Sequence, residues 1–318
     1  MESKGHDPNT IQPPGHPTMS ALVELVEDLP PLPSSFNKLC RVLDRDDATA
    51  DDVARVIRED QTMATRLLKE ANASHRFRAG TTTTVTRAVV SMGFRAVRAT
   101  LLGASVTASL GRYFNRENLD LWRHIFAVAV ISRSMCNHLG IGEPDEGYVM
   151  GLTHDMGHLV LKNHYPTQHA QLITQMNMPS CDLTALELSH YGVTHPDLAC
   201  LIARRWKLPE MLVQVARFHG EPAGAGEFED LATLVHVADM LASALGLGHT
   251  GDPFVRPLAA TRDAMAEIGI HDATTLEPIC AEAVTAFRGG FGAFLRLCTD
   301  GKDLVGADAV NNPGFGDQ

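Results

Sequence analysis

The side chains able to do chemistry in this sequence are histidines and aspartates set in apolar surroundings. Ten of the fifteen histidines fall between His124 and His236. His154-Asp155 follows the apolar run Tyr148-Val149-Met150-Gly151-Leu152, so the pair emerges from a core helix. Adjacent helical residues diverge by about 100°, which makes a chelate from both awkward. The pair works better if each contacts a different side of a metal centre, with the carboxylate bridging. Aspartate offers a hard oxygen and histidine a borderline nitrogen, a mixture that suits iron, manganese, zinc or magnesium. His124 is followed at i+3, i+4 and i+7 by Ala127, Val128 and Ile131, which puts its ring on a buried face. A lone buried imidazole is usually a hydrogen-bonded core residue, and a metal is one partner that could satisfy it.

His154 and His158 stand four apart, the spacing of H-E-x-x-H zinc proteases. Here the second position is Asp155 rather than Glu, and Gly157 weakens the helix, which argues against that chemistry. Three further polar residues recur at helix starts or inner positions. His195 stands before Pro196, His219 closes the run Leu212-Val213-Val215-Ala216-Phe218, and Asp239 lies within Leu234-Val235-Val237-Ala238-Met240-Leu241. An unpaired carboxylate in such a run would be costly, so Asp239 requires a partner. His236 and Arg217 are candidates, and a buried salt bridge or a helix cap without function would also account for it.

Helices must position these groups. Ser34 or Ser35 is expected to cap a helix carrying Phe36, Leu39, Cys40 and Leu43, the first helical signal in the chain. Thr49 caps the next, with Asp52 three residues on as a capping-box partner, and a break at Asp60 leads to Met63, Leu67 and Ala71. A run over 85–111 is interrupted at Gly93, and 111–118 is polar and loop-like. Further helices are predicted over 121–139, stopped by Gly140 and Gly142, over 146–163, after Pro166, after Pro196, after Pro209 and over 231–245. Three more cover 259–268, 276–287 and 291–297. No convincing strand pattern is present, so the expected fold class is all-α.

The chain has 318 residues, 44% of them hydrophobic, and a net charge of −11. That composition is globular, and its acidity argues against nucleic acid as a partner. The exception is the segment 66–112, with eight basic groups against one acid for a net +7, either solvated helix faces or an anion- or partner-binding surface. Six dispersed cysteines without a C-x-x-C pair read as free thiols in a reducing compartment. A polar, Pro-rich start is no secretory signal, and no stretch reads as a membrane span. A cytoplasmic location without membrane partners is expected.

The order His124, His154-Asp155, Asp239 resembles the H…HD…D signature of the HD superfamily of metal-dependent phosphohydrolases. Leu29-Pro30-Pro31-Leu32-Pro33, Leu67-Leu68-Lys69-Glu70-Ala71-Asn72 and Arg87-Ala88-Val89 followed by Met92-Gly93 resemble the N-terminal half of the HDOD domain. Leu121-Trp122-Arg123-His124, Gly151-Leu152-Thr153-His154-Asp155-Met156-Gly157, His195-Pro196-Asp197-Leu198, Trp206-Lys207-Leu208-Pro209 and Phe218-His219 continue it, over about residues 20–245. The resemblance implies an all-α bundle of bacterial signalling proteins, related to HD-GYP phosphodiesterases that cleave cyclic di-GMP at a bi- or trinuclear metal centre. HDOD domains are commonly regarded as regulatory modules without demonstrated hydrolysis.

Carried over by position, the resemblance implies that His124, His154, Asp155, His195, His219 and Asp239 ligate one or two divalent ions per chain, with Asp155 bridging. Asp155 is then the one candidate catalytic residue should the chain hydrolyse anything. Departures weaken the enzymatic expectation. The usual H-D-x-G-K ends in His158, leaving a ring at the phosphate- or anion-contacting position of a lysine. A paired His-His becomes His219-Gly220, and Glu221-Pro222-Ala223 stands where Gly-Tyr-Pro would follow. The expected organisation is a disordered lead (1–19), an N-terminal helical lobe (20–113), an HD-like subdomain (114–245), C-terminal helices packed on the bundle (246–300) and a flexible tail (301–318). The implied function is regulation through a separate signalling protein. Hydrolysis of a nucleotide ligand is the alternative.

Overall fold

The computed structural model describes residues 19–73, 82–176, 183–248 and 258–299. The lead expected over 1–19, apart from Met19, and the tail over 301–318 lie outside the described residues, as does Cys181. Among those described there are fifteen α-helices and no strand. They are α1 (Met19–Glu27), α2 (Ser34–Leu43), α3 (Ala50–Arg58), α4 (Gln61–Ala73), α5 (Val85–Leu110), α6 (Leu119–Leu139), α7 (Pro144–Thr153) and α8 (Met156–His164). Then come α9 (Pro166–Met176), α10 (Leu183–Tyr191), α11 (His195–Arg205), α12 (Glu210–Phe218), α13 (Glu229–Ala244), α14 (Leu258–Glu267) and α15 (Ala273–Cys298).

Local chemistry explains most helix starts. Thr49 and Asp52 form a reciprocal capping box on α3. The Asp60 carboxylate accepts from the Thr62 and Met63 amides at 2.9 and 3.1 Å and so caps α4. For α2 the expectation of a serine cap fails. Pro33 holds the cap position, and Ser35 donates its hydroxyl to Asp60 at 2.6 Å, tying α2 to the start of α4. The long α5 is interrupted where expected, at Gly93, whose φ of 79° breaks the helical backbone. The polar segment 111–118 forms two short 3-10 turns and buries Tyr113, Phe114 and Asn118.

The centre of the molecule is α6. From His124 to Ser132 every residue is buried, so this helix is apolar all round rather than on one face. It packs against α7, α13 and α15. The last of these was expected as two helices but runs unbroken across Gly289-Gly290. Phe287, Phe291 and Phe294 surround Phe126 of α6, with ring centroids 5.7, 5.7 and 4.7 Å away, and packing on both sides of the glycine pair holds it helical. α5 packs on α2, α3, α4 and α7, and the Trp206 indole donates to the Pro30 carbonyl at 3.0 Å, so one apolar core runs through both halves.

The basic segment is partly neutralised by residues distant in sequence. Arg95 pairs with Glu143 at 3.1 Å, Arg98 pairs with Asp44, and Arg112 donates to the Asp28 carbonyl at 3.2 Å. Arg76 and Arg78 lie outside the described residues. Among the described residues one stretch, Val85–Tyr113, is long and apolar enough to span a membrane by composition, and over half of its most apolar window is buried inside the fold.

Removing the ring at the α6–α15 contact is expected to be costly. Phe126→Ala should lower unfolding free energy by about 3–5 kcal/mol, read from the denaturant midpoint. A change near zero would mean α15 is not anchored there.

Candidate metal centre

The site forms where several helix ends converge. A single helix over 146–163 was expected, but the chain breaks at His154-Asp155, between α7 and α8. The Thr153 hydroxyl donates back to the carbonyls of Val149 and Met150 at 3.0 and 3.1 Å, and the His154 amide still reaches the Met150 carbonyl at 3.1 Å, so α7 stays helical up to the turn. Asp155 leaves the helical region at φ −104°, ψ 16°, and its carbonyl accepts the first turn of α8 from the His158 amide at 3.0 Å. The turn cancels the divergence that a continuous helix would impose, and both side chains face one centre.

Two glycines let the surrounding backbones close in. A β-carbon at Gly151 would stand 2.5 Å from Cα of Ala129 on α6. One at Gly157 would collide with the carbonyl oxygen of His195, at the first turn of α11. Gly157 therefore serves close helix packing.

The Asp155 carboxylate, almost wholly buried, lies at the middle of the site. Its Oδ2 is 3.4 Å from Nε2 of His154 and 3.7 Å from Nε2 of His124. Its Oδ1 is 3.5 Å from Nε2 of His195 and 3.7 Å from Nε2 of His219. Asp239 completes the first side, with Oδ1 3.0 Å from Nε2 of His124. All six sequence candidates thus meet, and one carboxylate divides them into two sets. Arg217, one candidate partner for Asp239, pairs instead with Asp197 at 3.5 Å. The other, His236, donates Nδ1–H to the His219 carbonyl at 2.8 Å. Asp239 is also less buried than its apolar neighbours suggest. A third of its side chain is exposed, which places it at the opening of the site.

Three of the four facing rings are held the same way. His154 Nδ1 lies 2.8 Å from the Gly151 carbonyl, His219 Nδ1 2.9 Å from the Ala216 carbonyl, and His195 Nδ1 2.9 Å from the Glu187 carboxylate. Each acceptor is an oxygen, so Nδ1 must carry the proton and Nε2 is turned to the centre. That arrangement of histidine ligands recurs in metal sites. The carbonyls used by His154 and His219 belong to the last turns of α7 and α12, whose negative ends face the centre, while α8 and α11 start there and present positive ends.

The residues fit a metal on two further counts. Nδ1 of His124 is buried without a hydrogen-bond partner, and Nε2 of His124 and of His154 face carboxylates without a well-aligned hydrogen bond, a costly state for polar atoms in an apolar core. The charge is also apt. Burial pushes the Asp155 carboxyl up, but His154, His158 and His195 overcome this and hold it well below the usual range. Burial likewise opposes ionisation of Asp239, and the adjacent His124 and then His154 bring its carboxyl below the ordinary value. Burial depresses the His154 ring, yet Asp155 and Asp239 lift it to about 9. Burial beside His154 and His195 takes His219 down to about 3, leaving its lone pair free.

One residue of the site was not singled out in the sequence. Glu187, on α10, is fully buried and touches both His195 and His158. It had no signal, because α10 is short and its apolar positions follow no clear period. The His158 ring is buried, stacked on His195 at a centroid distance of 3.8 Å with planes 15° apart, and its Nδ1 is 3.6 Å from Glu187. Burial and the neighbouring His195 depress it to about 4.

The HDOD domain pattern matches residues 29–222. The chain belongs to the HDOD family. An uncharacterized protein of Treponema pallidum (strain Nichols) is 24% identical over 226 residues, covering 70% of this HDOD chain and 43% of that protein, so the chain spans under half the length of this relative. The crystal structure of an HDOD domain protein from Geobacter sulfurreducens superposes with a TM-score of 0.65 at 20% identity, covering 88% of this chain and 99% of that one. A protein from Shewanella amazonensis SB2B, provisionally named a phosphohydrolase, gives a TM-score of 0.62 at 22% identity, covering 89% and 98%. Likeness at these identities establishes the HDOD fold, an HD-like helical bundle.

A divalent ion bound here would compete with the proton for Nε2 of His154. In the metal-free protein that proton is retained up to about pH 9, so affinity for a divalent ion should rise as pH climbs from 6.5 and level off above 9. Titration calorimetry with Mn2+ in buffers of different ionisation enthalpy would show the released proton. A pH-independent affinity would remove His154 from the ligand set. The stabilisation that His154 gives the metal-free fold has the opposite trend. It is complete below about 6.5 and fades as pH rises through about 9.

Proposed function

We propose that this HDOD protein is a signalling module built around a dinuclear metal centre. His124, His154, Asp239 and Oδ2 of Asp155 would hold one divalent ion, and His195, His219 and Oδ1 of Asp155 the other. The observation that carries this reading is the division of the Asp155 oxygens between two sets of ring nitrogens, all within 3.7 Å. When bound, such ions supply Lewis-acid polarisation of a phosphoryl group.

Two features favour regulation over turnover. The position where the family pattern carries a lysine holds His158, whose ring is packed against His195 and Glu187. A neutral ring does not replace a flexible ammonium as a phosphate contact. Secondly, α7 and α12, which end on His154 and His219, also floor a groove of about 300 Å³. Phe94, Leu102, Val149, Met211 and Leu212 line it, with Arg98 among them. Through these two rigid helices the state of the centre reaches a surface where a separate signalling protein could read it.

A second reading, hydrolysis of a cyclic dinucleotide, is favoured by the exposure of Asp239, which leaves the centre reachable.

Metal analysis of protein purified without chelators should find two equivalents per chain, and Asp155→Ala should lose both. Absence of metal in the wild type would overturn the dinuclear reading. Manganese- or iron-loaded protein should not turn over a cyclic dinucleotide or a generic phosphodiester. Hydrolysis that disappears in Asp155→Ala would establish the second reading in place of the first.

A further inference from the structure

His195 is held unlike the other rings that face Asp155. Backbone carbonyls of their own helices fix His154 and His219. His195 is fixed by a side chain from another helix, and by two of its atoms at once. The Glu187 carboxylate accepts the His195 backbone amide at 3.0 Å and lies 2.9 Å from its Nδ1. Glu187 therefore satisfies a free amide in the first turn of α11 and sets the tilt of the ring borne by the same residue. The His158 ring lies flat against the other contact surface of the His195 imidazole, 3.8 Å away, and restricts rotation of its plane. Neither Glu187 nor His158 belongs to the six residues assigned to the metals, although a nitrogen of His158 lies within 4.8 Å of ligand atoms of Asp155 and His195.

A carboxylate with no exposed surface is expensive to bury and persists only where its partners are charged or well placed. Glu187 has one such partner in His195, with His158 at 3.6 Å as the second ring beside it. Structural tethering of α10 to α11 alone would need only the amide contact. The bond to Nδ1 satisfies the buried carboxylate, and both it and the stacked ring also act on the direction of Nε2 towards Oδ1 of Asp155.

We propose that Glu187 and His158 are positioning residues that clamp His195 for the second metal, the one held on the Oδ1 side of Asp155. The proposal rests on the dinuclear reading above and names what makes its second half selective. A carboxylate behind a ligating imidazole raises the basicity of the ring and fixes its orientation, and loss of such a partner typically weakens metal binding 10- to 100-fold. The Oδ2-side ion, with His124, His154 and Asp239, has no contact with this clamp and should be indifferent to it.

Co2+ provides the test, because its d–d absorption reports each site's ligand field as it fills. The wild type should take up two equivalents. In Glu187→Gln the first should bind as before, while the second weakens by about 10- to 100-fold and changes its absorption envelope. His158→Phe keeps a flat ring but offers no nitrogen, so it should bind both ions nearly as the wild type does, and His158→Ala should weaken the second. Far-UV circular dichroism and thermal unfolding of the metal-free variants separate these effects from misfolding, and the two His158 variants carry the test if Glu187→Gln does not fold. Unchanged second-site affinity and spectrum in folded Glu187→Gln would overturn the clamp while leaving the dinuclear reading intact. Loss of the second ion in His158→Phe would make His158 a ligand and overturn its positioning role. A wild type that binds no Co2+ would overturn both readings.

Discussion

A single, almost wholly buried carboxylate sets the terms for the rest of the molecule. Taking Asp155 out of water is unfavourable unless compensating charge or donors surround it. Here four imidazoles from four different elements do so, with Nε2 atoms of His124, His154, His195 and His219 between 3.4 and 3.7 Å of its oxygens. That requirement explains features that would be unfavourable in isolation. The helix breaks after Thr153 so that Asp155 can turn inward. Glycine at 157 lets the backbone of α11 approach closely enough for His195 to reach. The central helix α6 is apolar all round and buries His124 in its middle.

The rings are aimed by a second layer whose composition follows from helix ends. A helix leaves its last carbonyls without intrahelical partners. At α7 and α12 those carbonyls accept from Nδ1 of the histidine that ends the helix, so each terminus satisfies a free acceptor and points a lone pair at the centre at once. α11 presents its N-terminal turn, where free donors rather than acceptors lie, and this solution is not open to it. A carboxylate from α10 takes the carbonyl's place. The difference between the two kinds of support is dictated by helix polarity.

Most of the fold was legible because it rests on periodicity and caps. The apolar spacing around His124, the Thr49–Asp52 box and the glycines after Leu139 each act within a few residues, and the corresponding helices lie where those signals put them. Five of the six candidate residues stood out for a related reason, since a histidine or aspartate in or beside an apolar run must be explained; His195 stood out at a helix start, and the family resemblance made the six a ligand set. What was not legible depends on contacts between distant segments. Between Glu146 and Asn163 the apolar run masks the break, since the side chains that gather around Asp155 come from segments far away in the sequence. Gly289-Gly290 reads as a stop until the three phenylalanines around Phe126 are seen. α1 escaped notice because it precedes the Pro-rich run, and α10, with Glu187, because its burial is created by partners encoded elsewhere.

The electrostatics of the metal-free centre show why packing alone does not define it. Asp155, Asp239 and Glu187 all favour the ionised form despite burial, which leaves three negative charges close together in the fold. His154 answers part of that charge by retaining a proton to about pH 9, and Glu187 draws His195 the same way against the effect of burial. His219 and His158 cannot help, because burial and their charged neighbours keep them neutral, near 3 and 4. The centre therefore offsets its carboxylates by favouring the protonated form of two rings that aim Nε2 at Asp155. A divalent cation would take the place of those protons on the same atoms with more charge and fixed direction. Exchange of proton for metal would change the charge at the ends of α7 and α12 while the apolar core around them stays packed. A module of this build can thus alter its electrostatic state without unfolding any element.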